Sequence, residues 1–192
     1  LWESAPYYDR SYAEIAGLFD SVYVSFYKGV GAIAGAALAG PAAVIAEARV
    51  WQRRHGGNLI SLFPYVVSAR TKLRERLPKF PAYHARALRV AAVLRAVPGI
   101  VVAPDPPHAH MMHVSLRGDP DKLLAASVRI AQEDRVALFQ SLQPADVPGF
   151  VRFELSLGDA VDALGDDEIG AYFQRVVSEG ASGHATRNGH RR

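Results

Sequence analysis

The sequence predicts an α/β protein, and three observations indicate this class. Runs of β-branched and aromatic residues, such as VYVSFY at residues 22–27, are typical of strands. Segments whose apolar residues recur at helical spacing, such as residues 83–97, are typical of amphipathic helices. In the second half the two patterns alternate, and the chain of 192 residues is 49% hydrophobic, which is enough to bury a core.

The first part of the chain is predicted to hold a short helix and two strands. Ser11 and Glu14 have the spacing of a capping box, which predicts that a helix begins there. Residues 22–27 are interpreted as a buried strand because they are mostly β-branched or aromatic. A glycine-rich turn comes next, and AALAG at residues 36–40 is a candidate second strand.

Two helices are predicted next, and proline and glycine mark their ends. Pro41 suits the first helical position because that position needs no amide hydrogen, and Gly56 with Gly57 stops the helix. Residues 58–76 are largely apolar and predict one long helix in spite of Pro64.

The second half is predicted to form a small α/β unit by itself. Its strands and helices alternate over roughly 100 residues, which is a common size for a domain. Asp166 and Asp167 are interpreted as helix caps. The predicted elements are a helix at 83–97, strands at 100–103 and 110–116, a helix at 119–134, strands at 136–142 and 150–158, and a helix at 166–179.

Composition and charge argue against several classes of function. The chain has no cysteine, which excludes disulfides and thiolate chemistry. Arg187, Arg191 and Arg192 account for the whole formal net charge of +3, and they lie in the polar stretch 180–192. We therefore expect no nucleic-acid partner, and we expect that stretch to be a disordered tail.

Residues 22–46 are apolar and long enough to cross a membrane, but their interruptions argue against a span. Lys28 would lie inside it, and Pro41 and several glycines would break it. We therefore expect no membrane segment and a cytoplasmic location. The chain begins with Leu1 and shows no signal-peptide pattern, so we expect it to be part of a longer protein.

Lys28 is the most informative single residue. It stands in a stretch of small and apolar residues, with Asp20 and Glu47 as the nearest charges. Burial disfavours the charged form of a lysine, and a neutral amine is the nucleophile that forms a Schiff base with an aldehyde. Glycines after it would let the backbone pass close to a flat cofactor. The other interpretation is a lysine at a strand end that reaches water.

The segment from residue 20 to residue 58 resembles the lysine region of threonine aldolases and the related β-eliminating lyases. The shared features are, in order, Lys28-Gly29-Val30-Gly31-Ala32, Gly35, Gly40, Arg49-Val50-Trp51 and Gly56-Gly57. LWESAP at the start is similar to the residues directly after the family's His-x-Asp-Gly-Ala-Arg motif. The resemblance implies a pyridoxal-phosphate enzyme of the aspartate-aminotransferase fold type, and it covers only about the C-terminal half of a family member.

By this resemblance, residues 1–78 are the end of a large cofactor-binding domain and residues 79–179 are a small C-terminal α/β domain, followed by the tail at 180–192. The acidic residue that pairs with the pyridine nitrogen, the histidine that stacks on the ring and the phosphate loop of the family would precede Leu1. The chain by itself is therefore expected to be an incomplete active site. The family builds its site at a subunit interface, which implies a homodimer or homotetramer.

The resemblance also implies roles for five residues. Lys28 would carry the pyridoxal 5′-phosphate and transfer protons, and Ser25 would contact the cofactor phosphate. Arg53 would help to bind the cofactor or a neighbouring subunit. Arg152 would hold the substrate carboxylate through two parallel hydrogen bonds, and His110 would form part of the wall of the substrate site. The alternatives are a strand serine, a solvated helix arginine, an arginine paired with an acid, and an ordinary histidine.

Three histidines in PPHAHMMHV have a spacing short enough for a metal site. They are His108, His110 and His113. A strand directs His110 and His113 to opposite faces, so they are not expected to share an ion, and no metal is predicted.

The predicted function is a pyridoxal-phosphate-dependent lyase that cleaves the Cα–Cβ bond of a β-hydroxy amino acid, such as threonine to glycine and acetaldehyde. β-Elimination from another amino acid with the same lysine is an alternative, because Tyr27 and Ile33 replace the family's usual serine and proline. A further alternative is a non-catalytic fragment with a structural role in dimerisation.

Overall fold

The computed structural model of the chain describes residues 1–161 and 163–181, and its contacts divide the chain into two units. The first unit is Leu1–Tyr83, and the second begins at His84. Of the predicted tail at 180–192, residues 180 and 181 belong to the last helix, and 182–192 lie outside the described residues. Over the described ranges, every helix is too short or too polar to cross a bilayer.

The first unit contains short helices and one two-stranded sheet. Ser11 and Glu14 form the predicted capping box, with each side chain accepting from the other's backbone amide. The strands β1 and β2 pair in antiparallel fashion, which confirms the second predicted strand. The elements are α1 (Ala5–Tyr8), α2 (Tyr12–Ala16), β1 (Val22–Ser25), β2 (Ala36–Ala39), α3 (Ala42–Arg54) and α4 (Phe63–Arg76).

The prediction that residues 22–27 form a buried strand is wrong in its burial and in its length. β1 ends at Ser25, and the Tyr23 side chain is 60% exposed. All four residues of β2 are also exposed. The reason is that a sheet of two strands is too small to enclose its own faces.

Two predicted helix starts are displaced, and proline explains both. Pro41 is the N-cap of α3 rather than its first helical residue. The helix predicted over 58–76 begins only at Phe63, with Pro64 in its first turn. A proline ring fits the first turn but clashes with a preceding turn of helix, so Pro64 excludes residues 58–62 from the helix.

The second unit is built on a four-stranded antiparallel sheet in the order β3-β4-β6-β5. Helices and strands occupy most of the predicted positions, and the mixed helix and sheet content confirms the α/β class. The elements, of which the first begins just before the unit boundary, are α5 (Phe80–Arg95), β3 (Ile100–Ala103), β4 (Met111–Arg117), α6 (Pro120–Glu133), β5 (Gln143–Pro144), β6 (Phe150–Ser156) and α7 (Asp166–Ala181).

The core of the second unit joins α5, α6 and α7 to one face of this sheet. Leu94, Ile130 and Phe173 of the three helices are buried together with Met112 of β4. Residues that alternate with the buried ones, such as His113, point to the other face of the sheet and are exposed. The outer face of the sheet is therefore polar and open to solvent.

The predicted strand at 136–142 is wrong. Residues 136–142 have irregular backbone, and the next strand is β5, which has only two residues. Leu138 and Phe139 pack against the core of the second unit, and the Ser127 hydroxyl donates to the Phe139 carbonyl at 3.1 Å. The apolar pattern of this run therefore reflects packing onto the core rather than strand pairing.

Candidate active site

The turn that carries Lys28 connects β1 and β2 and is closed by backbone hydrogen bonds. The Phe26 amide donates to the Gly35 carbonyl at 2.9 Å, and the Ala32 amide donates to the Phe26 carbonyl at 2.8 Å. Within the turn, the Gly31 amide donates to the Lys28 carbonyl at 2.7 Å. These bonds fix the backbone of Lys28 although it lies outside the strands.

Side chains elsewhere in the first unit also hold this turn in place. Val30 is fully buried in a cluster with Phe80 and Tyr83. Arg76 Nη1 donates to the Gly29 carbonyl at 3.1 Å, so helix α4 holds the residue directly after Lys28. The position of the lysine is therefore set by packing as well as by the hairpin.

The two glycines beside Lys28 make room for side chains of this chain. A Cβ added at Gly29 would collide with the Glu3 carboxylate, and one added at Gly31 would lie 3.0 Å from Arg76 Nη1. Gly31 also has a φ of +74°, which residues that carry a Cβ rarely adopt. The absence of a Cβ at these two glycines therefore lets Glu3 and Arg76 pack close to the turn.

The Lys28 side chain is exposed. Among the described residues, none forms a hydrogen bond or ion pair with its amine. In this chain Lys28 therefore has the exposure of the alternative interpretation, a lysine at a strand end that reaches water. The physical reason is the open hairpin, whose strand β2 is exposed along its whole length.

Two further predicted cofactor ligands lie on the first unit. Ser25 is the last residue of β1, is half-buried and pairs with Ala36 of β2. Arg53 lies in the last turn of α3 and is exposed. Ser25 and Lys28 lie at the same end of the hairpin, whereas Arg53 belongs to helix α3. Tyr27 lies between Ser25 and Lys28, and its hydrogen bond with Tyr23 raises the pKa of the Tyr23 hydroxyl.

Arg152 lines a cavity of about 420 Å³ on the outer face of the second unit's sheet. Strand alternation explains the lining, because Arg152 and Glu154 point to the same face of β6 and Glu154 stands opposite His113 of β4. Gln143 of β5 stands opposite Arg152. The full lining is His113, Phe139, Gln140, Ser141, Gln143, Arg152, Phe153 and Glu154.

The sequence alternative for Arg152, an acidic partner, is present in the structure. Arg152 Nη1 donates to Asp146 Oδ2 at 3.0 Å, and the Asp146 side chain is 90% exposed. No local pattern in the sequence indicates that Asp146, His113 and Glu154 are neighbours of Arg152. Only the pairing register of β4, β5 and β6 brings them together, and a single sequence does not state that register.

His110 does not line the Arg152 cavity. It lies directly before β4, is 8% exposed, and its carbonyl accepts from the Leu157 amide at 2.8 Å. Over the residues that the structure describes, no three His, Asp or Glu side chains are placed to hold a metal ion.

A model of the beta-eliminating lyase family matches residues 1–117, which is more than half of the chain. The chain belongs to the beta-eliminating lyase family. This family depends on pyridoxal 5′-phosphate, so the predicted cofactor and the predicted family are both confirmed. A comparison with curated proteins finds no match.

Solved structures agree with this assignment. A protein from Listeria monocytogenes EGD-E, provisionally assigned as an L-allo-threonine aldolase, is 38% identical, with a TM-score of 0.85 over 93% of this chain and 49% of its own. An Exiguobacterium sp. 255-15 protein, provisionally assigned as an aromatic amino acid beta-eliminating lyase/threonine aldolase, is 40% identical, with a TM-score of 0.84 over 93% of this chain and 50% of its own.

These matches also show how much of the relatives' length the chain covers. It spans about half the length of the two solved relatives. A methionine gamma lyase from Micromonospora echinospora is 16% identical, with a TM-score of 0.51 over 83% of this chain and 49% of its own, and it shows the fold alone. As a member of the beta-eliminating lyases, the chain has residues whose chemistry suits the cofactor, because Lys28 offers a primary amine and Ser25 a hydroxyl at one end of the hairpin.

Proposed function

We propose that this chain supplies the cofactor lysine and the carboxylate-binding arginine of a lyase that cleaves the Cα–Cβ bond of β-hydroxy amino acids, with threonine converted to glycine and acetaldehyde. The observation that carries this proposal is the turn at Lys28. Its backbone is fixed by Gly31, Phe26 and Arg76, while its amine forms no hydrogen bond or ion pair with the described residues. A fixed backbone whose lysine amine is not bound by another residue leaves that amine open to an aldehyde.

Three candidate residues of the first unit have separate roles toward the cofactor in this proposal. Lys28 Nζ would hold the cofactor and would accept and return a proton, and the Ser25 hydroxyl would bind the cofactor phosphate. Arg53 contributes positive charge to the cofactor or to a neighbouring subunit. When bound, pyridoxal 5′-phosphate supplies the electron sink for the bond that breaks.

Arg152 holds the substrate α-carboxylate in this proposal. Its guanidinium lines a polar cavity large enough for a small amino acid, and a planar guanidinium can hold a carboxylate with two parallel hydrogen bonds. His110, which is buried directly before β4, is the proposed residue of the substrate wall.

A test of the lysine can be made on the chain itself. After addition of pyridoxal 5′-phosphate and reduction with borohydride, peptide mapping should place a pyridoxyl group on Lys28. Lys72→Arg is the matched control, because Lys72 is an exposed lysine of α4 paired with Glu75. Labelling that survives Lys28→Arg, or that is spread evenly over the lysines, would contradict the proposal.

A chain that takes up no cofactor would instead favour the fragment interpretation. The exposure of Lys28 and the half-length match to the solved relatives support the inference that a dry site needs residues beyond those of this chain. Trapping on Lys28 in a longer protein that contains this chain, but not in the chain alone, would support that interpretation.

β-Elimination is the second candidate reaction. It is supported by the family description and by the assignment of the Exiguobacterium relative, which names both activities. The native protein should release acetaldehyde from L-threonine or L-allo-threonine if it is an aldolase. Pyruvate from another amino acid, without acetaldehyde, would assign elimination.

We also propose that the protein works as a homodimer or homotetramer. Large apolar side chains of the first unit, such as Leu18, Ile60 and Phe63, are at least 72% exposed, which is an unusual surface for a monomer. Light scattering after gel filtration should give a mass of two or four subunits. The cytoplasmic location stays a prediction.

A further inference from the structure

We infer that the cavity beside Arg152 is a carboxylate-binding site in which Asp146, a residue of the same unit, competes with the ligand. This inference rests on the proposed role of Arg152 and adds to it the group that an incoming carboxylate must displace. It concerns a residue that touches the guanidinium directly, at 3.0 Å from Asp146 Oδ2 to Arg152 Nη1.

The hairpin between β5 and β6 determines where Asp146 lies. The Phe150 amide donates to the Val147 carbonyl at 3.2 Å, and Gly149 has a φ of +80°. These values describe a type II turn, which needs a glycine at its third position. Asp146 directly precedes the turn, so the tight hairpin, and not a long loop, brings its carboxylate to Arg152.

Asp146 offers Arg152 the same chemical group as the substrate would. Both are carboxylates, and the guanidinium N–H groups that hold one are then not available to the other. The Asp146 side chain is 90% exposed and that of Arg152 is 37% exposed. Ion pairs between exposed groups are weak, so a ligand can displace Asp146 at small cost.

The rest of the cavity defines the class of ligand. Glu154 lines the cavity and Asp146 pairs with Arg152, so two carboxylates offset the charge of one guanidinium, and Arg152 binds an anion better when the Asp146 carboxylate has moved away. Gln140, Ser141 and Gln143 add neutral hydrogen-bonding groups. This lining, in about 420 Å³, suits a small carboxylate with polar substituents, such as a free amino acid.

An NMR titration of the full chain tests the competition. The Arg152 Nε–Hε resonance is followed as acetate is added at constant ionic strength, with acetamide as the neutral isostere. Asp146→Asn should bind acetate roughly two- to fivefold more tightly than the unaltered chain. Asp167→Asn, an exposed aspartate of α7 that does not line the cavity, should leave the affinity unchanged. Arg152→Gln should abolish saturable shifts in the cavity residues.

Two results would overturn the inference. One is an acetate affinity in Asp146→Asn no higher than in Asp167→Asn. The other is an equal gain in Glu154→Gln, which would assign the effect to the loss of any nearby negative charge. Mapping of the pyridoxyl group to Lys28 is independent of both, so a failure of the proposed function and a failure of this inference are distinguishable.

Discussion

The two units of the chain differ in how completely they bury their apolar residues. In the second unit, three helices and four strands enclose one continuous core, in which Leu94, Met112 and Phe173 are at most 1% exposed. In the first unit, Val30, Phe80 and Tyr83 form a small cluster, and α3 has no buried residue. The second unit therefore contains the apolar packing that it needs to fold. The first unit, by contrast, leaves large apolar side chains in contact with water.

The largest expected effect is on independent folding. Residues 79–181, which keep α5 whole, should unfold in one cooperative urea transition with a stability on the order of 5 kcal/mol. Residues 1–79 lack Phe80 and Tyr83 and should show no such transition, because two of the three buried residues of the cluster are gone. Circular dichroism during denaturation checks both fragments, and a cooperative transition in residues 1–79 would refute the comparison.

A matched pair of phenylalanines sharpens the same comparison within the intact chain. Phe173 is 1% exposed and its ring stacks on Phe153 at 5.8 Å, whereas Phe63 is 72% exposed. Phe173→Ala should lower the free energy of unfolding by about 3–5 kcal/mol, because it leaves a cavity. Phe63→Ala should change it by less than about 0.5 kcal/mol in the monomeric chain, in which this side chain is exposed. Equal losses in the two variants would mean that Phe63 is covered in solution.

A matched pair of glycines isolates the packing of the Lys28 turn. Gly31 and Gly56 have φ values of +74° and +73°, but of the two only Gly31 has a neighbour within 4 Å of the position a Cβ would take, namely Arg76. Gly56→Ala should cost about 1 kcal/mol from backbone strain alone. Gly31→Ala should cost more and should also reduce pyridoxyl labelling of Lys28. Equal costs, with labelling unchanged, would show that the Arg76 contact does not support the turn.

The smallest expected effect is a pH dependence in the second unit. The hydrogen bond from Arg89, together with the charge of Arg86, lowers the pKa of Asp166. The folded state therefore favours the ionised carboxylate, whose stabilisation is present above the ordinary pKa of an aspartate and is lost as pH falls through the lowered value. Asp166→Asn should cost less than about 1 kcal/mol at pH 7.

That cost should shrink in urea titrations of the full chain as pH falls below the ordinary pKa of an aspartate. Asp167→Asn serves as the control, because Asp167 is exposed on the same helix turn. A cost for Asp166→Asn that stays constant with pH would show that the two arginines do not stabilise the folded state through this carboxylate.

Local signals in the sequence were sufficient for most of the fold. The capping box at Ser11 and Glu14 and the strand at 100–103 depend on near neighbours only, and both are present as predicted. The strand predicted at 136–142 failed because an apolar run packs onto a core as readily as it pairs in a sheet. Asp166, interpreted as a cap, instead binds Arg86 and Arg89 of another helix, a contact that near neighbours do not reveal.

The candidate site was less predictable than the fold. Lys28 could be singled out because a lone charge in apolar sequence is conspicuous, but its exposure depends on the surroundings of the hairpin. Arg152 was a candidate from the resemblance, yet Asp146 and the cavity depend on strand register. Residue types are local properties, whereas accessibility and partners depend on long-range pairing.

Val30 is only two positions from Lys28, and it is completely enclosed, in a cluster with aromatic side chains. A short peptide segment thus connects the Lys28 end of the hairpin to hydrophobic packing in the interior of the first unit. Conservative changes at Leu77 or Phe80, whose side chains only pack in this cluster, should therefore alter the position of the Lys28 amine. A search for substitutions that modify activity should include such interior positions.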